Sequence, residues 1–462
     1  MALICFFNML QLSYDKGGCN IMRFTRKMRR ELKKAVNPLE ELLIIIKQYF
    51  PRFYDLLNKL TDTRNQSYIT YDLKICLIVR ILALCSGIQS MNGIGTDFNT
   101  DETIENINKI LNENYIELPH KDTLTNVVNE LNFEELENIQ TYMIKTLIRS
   151  KMLDKYRYNG MFHVVIDGTG LYSTEVNLGE QAITRIYNEG KENECKLYSY
   201  YVLEAKIICG NIAFSLATEF VENETYEDEN GNIIRKFDKQ DCELKASYRL
   251  LEKIKKRFPK LPIIISGDAL YIGKPFLKLC DEYKFNYIIR YKEDAASTIK
   301  KDFDNFHIID GNYKYQNGVI YGEPENKEYY TVNVISYDEL DQETEKITNF
   351  SYITSLEINN KNKEKIIILG RKRWKIENKG FREQKSGVLN ISHIYTKDCN
   401  GTKNTYLIIQ FSHTLLNLLY YGDILIKGLK ETIKEVSALL HKALTSKKQP
   451  LNMNKNIQLR LP

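Results

Sequence analysis

The stretch FHVVIDGTG, residues 162–170, decides how the chain is read. Phe162, Val164, Val165 and Ile166 form an apolar run too short for a helix and bounded by glycine, which predicts a buried strand that ends at Asp167 and turns on Gly168. Asp-Gly is a common exit from any strand, so Asp167 alone says little. A second run of the same kind, PIIISGDALY at 262–271, again closes on an acid, Asp268. Two such strands side by side deliver two carboxylates to one rim.

Working outward, β-rich runs at 198–208 and 212–221 flank Cys209-Gly210-Asn211 and predict a hairpin. An acidic stretch at 222–232 reads as a disordered loop, followed by an amphipathic helix at 239–258 stopped by Pro259. After the Asp268 strand come a helix at 274–283 and a strand at 285–291. Strand, strand, strand, helix, strand, helix, strand is the order of an α/β, ribonuclease H-like mixed sheet flanked by helices, in which the first and fourth strands are neighbours. Between 292 and 370 the pattern changes to Tyr-rich alternating segments at 313–321, 329–336 and 349–355, an all-β insertion read as a small subdomain over the site. Helix returns at 371–385, RKRWKIENKGFREQK, with Gly380 inside it. That glycine costs about 1 kcal/mol against alanine, so either something packs closely there or the helix breaks. Helices at 402–421 and 423–444 follow.

Upstream, Asn37-Pro38 reads as a cap and first turn opening a helix to Phe50. Further helices at 71–86, 101–111, 122–131 (capped by Asp122 or Thr123) and 133–152 complete an α-helical N-terminal domain. Short helices with tight turns suit a helix-turn-helix DNA reader, with 123–129 as its exposed helix, and equally a plain bundle.

A chain of 462 residues with 43% hydrophobic and 27% charged residues predicts a soluble protein of two or three domains. Its net charge of +5 conceals an asymmetry: residues 1–60 carry +6, residues 371–462 carry +11, and the middle carries −12. Seven of the thirteen residues from Met22 to Lys34 are basic, and Lys447, Lys448, Lys455 and Arg460 give the tail its charge. Basic ends around an acidic centre suit a polyanion grip at the termini and cations held in the middle, or simply solvated faces. Nine cysteines without a Cys-x-x-Cys pair point to a reducing compartment and away from structural zinc. His163 and His413 read as core histidines, and Trp374 as a core residue. The apolar runs reach about half the ~20 residues a membrane span needs. The first residues lack a charged leader, so no signal peptide is expected, and Met22 heads a more plausible beginning.

Cutting or joining a phosphodiester calls for two divalent metals ~3.5–4 Å apart, and magnesium takes oxygen ligands while keeping several waters. A few carboxylates therefore suffice: Asp167 as the bridging ligand, Asp268 on one metal, and a third acid from a nearby helix, for which Glu377 is chosen. Glu219 and Glu222 are spare acids at the end of the third strand.

The ordered set Asp167 in IDGTG, Asp268 in GDALY and Glu377 in RWKIENKGF resembles the DDE transposases of bacterial insertion sequences, in the group with a β-rich insertion before the last acid. That group carries a Tyr-x2-Arg-x3-Glu-x6-Lys signature. Arg373 and Glu377 fit it by spacing; Gly370 takes the tyrosine position and Gln384 the lysine position, with Lys385 one residue later. On an α-helix Lys385 lies about 80° from Glu377 and Arg373 about 40°. The resemblance implies Asp167, Asp268 and Glu377 as catalytic and metal-binding residues, with Mg2+ (two per site, Mn2+ able to substitute). It also implies Arg373 and Lys385 as contacts to DNA phosphates, where the alternative for Arg373 is an i, i+4 ion pair with Glu377. The division that follows is a basic arm at 1–36, a helical DNA-binding domain at 37–155, a catalytic core at 156–291 and 371–425, a β-rich insertion at 292–370, and a basic helix and tail at 426–462. The expected activity is cleavage at element ends and joining of the 3′ hydroxyl to target DNA. The partners would be DNA and a second copy on it, without membrane or small-molecule substrate, in the nucleoid-associated cytoplasm. The rivals are a ribonuclease H-like nuclease without strand transfer and a DNA-binding relative without catalysis.

Overall fold

The computed structural model describes residues 25–292, 296–322, 329–446 and 451–462; the apolar start with Met22, and Lys447 and Lys448, lie outside them. The helical part runs α1 (Arg26–Ala35), α2 (Pro38–Tyr49), α3 (Phe53–Asn58), α4 (Leu73–Cys85), α5 (Asp101–Leu111), α6 (Lys121–Glu130) and α7 (Phe133–Arg149). Asn37 accepts from the Leu39 and Glu40 amides just ahead of Pro38, which starts α2 where a proline costs no hydrogen bond. At α6 the cap is His120, whose ring accepts from the Asp122 amide, so both expected caps already sit inside the helix.

The sheet follows with β1 (Phe162–Thr174), β2 (Ile183–Tyr187), β3 (Cys195–Cys209) and β4 (Ile212–Val221). The acidic loop is not featureless, since it holds a small hairpin of β5 (Thr225–Glu227) and β6 (Ile233–Arg235). Next are α8 (Glu243–Arg257), β7 (Ile263–Gly267), α9 (Lys274–Tyr283) and β8 (Asn286–Arg290). β3 runs antiparallel to both β4 and β1, and β1, β7 and β8 run parallel, giving the order β4-β3-β1-β7-β8 of a ribonuclease H-like sheet. β1 and β7, which carry the two aspartates, are neighbours as expected.

One expectation fails at the decisive stretch. β1 does not end at Asp167 but continues to Thr174, because the fifteen-residue β3 stays paired with it: Asp167 faces Glu204 and Gly168 faces Leu203. What ends near the acid is the other ladder, whose last pair is Val165 with Ser266.

The insertion is β-rich but not all-β. It opens with α10 (Ser297–Phe306) and continues as β9 (Ile308–Asp310), β10 (Tyr313–Tyr321), β11 (Tyr330–Leu340) and β12 (Ile347–Thr354). β12 pairs antiparallel with β8, so these strands extend the same sheet to ten strands among the described residues rather than covering the site as a separate subdomain.

The last part holds α11 (Lys363–Arg371), a π-helical segment (Ile376–Arg382), α12 (Cys399–Asn417), α13 (Ile424–Leu429) and α14 (Ile433–Leu444). The helix expected over 371–385 is thus broken by a turn after Arg371 and then widened. α12 is buried along nearly its whole length. Asn400 and Asn404 donate to carbonyls of Val128, Asn129 and Leu131 at the end of α6, which fixes α6 on α12. α6 turns Leu124, Val127 and Val128 to the core and leaves Asp122, Asn126 and Glu130 exposed, the arrangement of a bundle helix. Helical part and sheet share one continuous apolar core.

The tail is a strap. Lys455 pairs with Glu40 at 2.6 Å and with the buried Glu41 at 2.5 Å, and the backbone of Ile457 exchanges hydrogen bonds with the Gln48 side chain. Lys455 is therefore committed to acids rather than held free for a polyanion.

Inside the sheet, Lys206 and Glu204 form a wholly buried ion pair at 3.3 Å. Glu204 also accepts from Ser215 and Thr218, and Lys206 donates to Gln410 at 3.0 Å. Removing one partner of such a pair strands the other charge in a low dielectric. Lys206→Met is expected to cost about 3–5 kcal/mol, read as a fall in the urea midpoint.

Candidate active site

Side chains alternate across a strand, so Asp167 shares its face of β1 with Val165. Val165, Ile208 and Ala213 pack against Ile376 and Phe381, which lays the π-helical segment on that face. Gly380 is required there: a Cβ would stand 2.9 Å from Lys206 Cδ and 3.2 Å from Ile376 Cγ1. Both readings of this glycine hold together, since the helix is packed closely and also distorted. π-Helical turns of this kind cluster at functional sites.

The wide turn has a consequence for direction. With i→i+5 bonding each residue advances less around the axis than in an α-helix, so a position about 80° out of line is brought round. Lys385 accordingly lines one open cleft together with Asp167, Arg373, Glu377, Asn378 and Arg382, in a volume of 690 Å³. Gln384 turns inward instead, fully buried, with its side-chain amide donating to Gln410 Oε1 at 2.9 Å. At Gly370 a Cβ would stand 2.5 Å from the Tyr352 ring, so the aromatic group at this place comes from β12 rather than from the helix.

Arg373 Nη1 lies 3.4 Å from Asp167 Oδ2, so the ion pair it makes is with Asp167 rather than one turn along its own helix with Glu377. Asp268 closes β7 and accepts from the Leu270 amide at 2.8 Å, which holds its carboxylate at the start of a tight turn. It stands beside the cleft rather than in its wall, yet near enough for its charge to act on Asp167. Burial pushes the Asp167 carboxyl up to about 6, with Arg373 pulling it down and Glu243, Asp268 and Glu377 pushing it further up. Asp268 and Glu377 are therefore each within electrostatic reach of Asp167.

Glu243, at the first turn of α8, was not anticipated. Its carboxylate rests over Gly168, where a Cβ would be 2.4 Å from Oε2, and accepts from the Tyr271 hydroxyl. The signal in the sequence was the pair of glycines next to the two aspartates, of which Gly168 reads as a strand exit when both are clearances.

The spare acids have structural partners: Glu219 pairs with Arg249 at 2.9 Å and Lys253 at 2.7 Å, and Glu222 with Lys403 at 3.0 Å. His163 is buried against Ser266 Oγ at 2.8 Å and pushed down to about 3 by burial and by Lys372. His413 is likewise buried, beside Asn417. Trp374 is not a core residue, because 49% of it is exposed at the break before the π-helical segment.

Among the described residues no three Asp, Glu, His or Cys side chains stand close enough to close around a single metal ion. In kind the donors suit a hard divalent cation: carboxylates gathered on an open cleft, one of them raised by burial and partnered by a guanidinium. A cation that keeps several waters needs only one or two of them directly.

Comparison with known proteins adds the following. Residues 54–143 match the family model described as DDE_Tnp_1-associated, and residues 238–415 match the one described as Transposase DDE domain; together these cover more than half of the chain. Asp268 and Glu377 fall within the second match and Asp167 lies before it. No curated protein sequence matches the chain. Among solved structures, a cryo-EM structure of a piggyBac transposase synaptic complex with hairpin DNA is 12% identical, with a TM-score of 0.38, covering 91% of this chain and 82% of that one.

The raised Asp167 carboxyl sets a pH dependence. Folded Asp167 binds its proton more tightly than in the unfolded chain, so its contribution to stability is complete below about pH 4 and is lost as pH rises through about 6. Asp167→Asn cannot ionise and is expected to gain on the wild type by on the order of 2–3 kcal/mol between pH 4 and pH 7. Urea midpoints of both proteins at the two pH values measure it.

Proposed function

This chain belongs to the DDE-type transposase family, and on that premise we propose that it cuts DNA at the ends of an insertion sequence and joins the freed 3′ hydroxyl to target DNA. The observation that carries the proposal is the gathering, on one face of β1, of Asp167, Glu377, Arg373 and Lys385 in a single cleft, with Asp268 beside it. Water attacks the end phosphodiester in line, and the 3′ hydroxyl so released attacks a target phosphodiester in a second in-line displacement. Asp167, Asp268 and Glu377 would hold magnesium ions, which when bound activate the attacking oxygen and stabilise the leaving one. Arg373, paired with Asp167 at 3.4 Å, would hold a DNA phosphate if Asp167 were to hold a cation instead. Lys385 and the exposed Arg382 add positive charge along the same wall. The helical segment 37–155 and the basic first helix are assigned to holding the DNA, with two copies of the chain acting on paired ends.

Wild-type protein is expected to show Mg2+-dependent cleavage of DNA carrying the element's ends, and Asp167→Ala, Asp268→Ala and Glu377→Ala each to bring it to background. Cleavage without any joined product in a strand-transfer gel would replace this reading by that of a nuclease. Lys385→Ala should weaken DNA binding evenly across sequences and lower the slope of log affinity against log salt by about 1. Gln384→Ala should leave that slope unchanged, since its amide is turned into the core. Titrations at several salt concentrations separate the two.

A further inference from the structure

The two aspartates sit where the backbone no longer holds their strands together. The β1–β7 ladder ends at Val165 with Ser266, two residues short of Asp167 and of Asp268. Something other than main-chain hydrogen bonds must fix their separation. On the face of the sheet opposite the aspartate side chains, the positions next to them are Gly168 and Gly267. A Cβ on Gly168 would collide with the Glu243 carboxylate at 2.4 Å, and one on Gly267 with the Tyr271 ring at 2.5 Å. Glu243 and Tyr271 are joined by a hydrogen bond from the tyrosine hydroxyl. Tyr271 is itself buried, packed on Phe276 at a ring distance of 5.2 Å, and follows Asp268 within the same tight turn.

We propose that Glu243 and Tyr271 are positioning residues of the active site: a hydrogen-bonded wedge, seated on two bare glycines behind the sheet, that sets the spacing of Asp167 and Asp268. The wedge spans the gap left by the ended ladder. Glu243 bears on the β1 side through Gly168, Tyr271 bears on the β7 side through Gly267, and their hydrogen bond ties α8 to both. Neither residue touches the substrate. They act through the two aspartates, so this inference rests on the catalytic reading above.

The test is direct binding of Mn2+ to the full-length protein without DNA, by calorimetry, alongside thermal melting. Tyr271→Phe keeps the ring on Gly267 and removes only the hydroxyl. It is expected to weaken Mn2+ binding by roughly 10- to 100-fold, as loss of an outer partner of a metal site does, with little change in melting temperature. Glu243→Ala should do the same, and Glu243→Gln, which keeps an acceptor for the tyrosine, should restore binding to near that of wild type. Gly168→Ala, which pushes the carboxylate off its seat, should behave like Glu243→Ala. Tyr271→Phe binding Mn2+ as wild type does, or Glu243→Gln binding no better than Glu243→Ala, overturns the wedge. If instead the wild type binds no Mn2+ and cuts no DNA, it is the catalytic reading that falls, and the wedge with it. Wild-type binding that is lost in Asp167→Ala but indifferent to Tyr271 sinks the wedge alone.

Discussion

β1 is held on its two edges over unequal lengths. β3 keeps it in the sheet through and beyond Asp167, while β7 releases it after Val165. A carboxylate at that point stands on a rigid strand yet faces an opening, the combination a reactive site needs: backbone fixed by hydrogen bonds on one side, room for another molecule on the other. Everything placed around the cleft uses that asymmetry. The π-helical segment closes one face, Asp268 arrives from the released strand, and α8 fills the rear.

The buried charges beneath the site follow from the same packing. Glu204 lies opposite Asp167 in the β1–β3 register, and Lys206 lies two residues on, on the same face. Covering that face with the π-helical segment takes both out of water, and each is answered: Glu204 by Ser215 and Thr218, Lys206 by Glu204 and Gln410. Gln384 joins the chain through Gln410, which gives a physical reason for an amide where the signature has lysine: the position points into a polar network already filled by Lys206. A second ammonium there would have no counter-charge.

The period-2 and helical patterns made the five-strand core legible, and helix 274–283 and strands 212–221 and 313–321 match the structure residue for residue. The gathering of Asp167, Glu377, Arg373 and Lys385 was legible only through the resemblance to the transposase signature, from which Lys385 departs by one residue. Two things escaped. Local turn chemistry at Asp167-Gly168 was overruled by the length of β3, whose Leu203 and Glu204 pair with it from far outside any window around the glycine. Glu243 escaped because its nearness to Asp167 is set by packing of α8 across the sheet; nothing in CELKAS distinguishes that glutamate from a helix-start acid facing solvent.

The strap at 451–462 answers a charge buried in α2. Glu41 is buried in α2 and raised to about 7 by burial and by Asp423, and its cation, Lys455, stands 414 residues later. Without the Lys455 ammonium, Glu41 and Asp423 would face each other in a buried acidic pocket. Residues 451–462 and α2 are therefore electrostatically interdependent, since docking of the strap supplies the positive charge that favours the ionised Glu41 carboxylate in the interior. The strap is in this way a counter-ion carried on the chain itself.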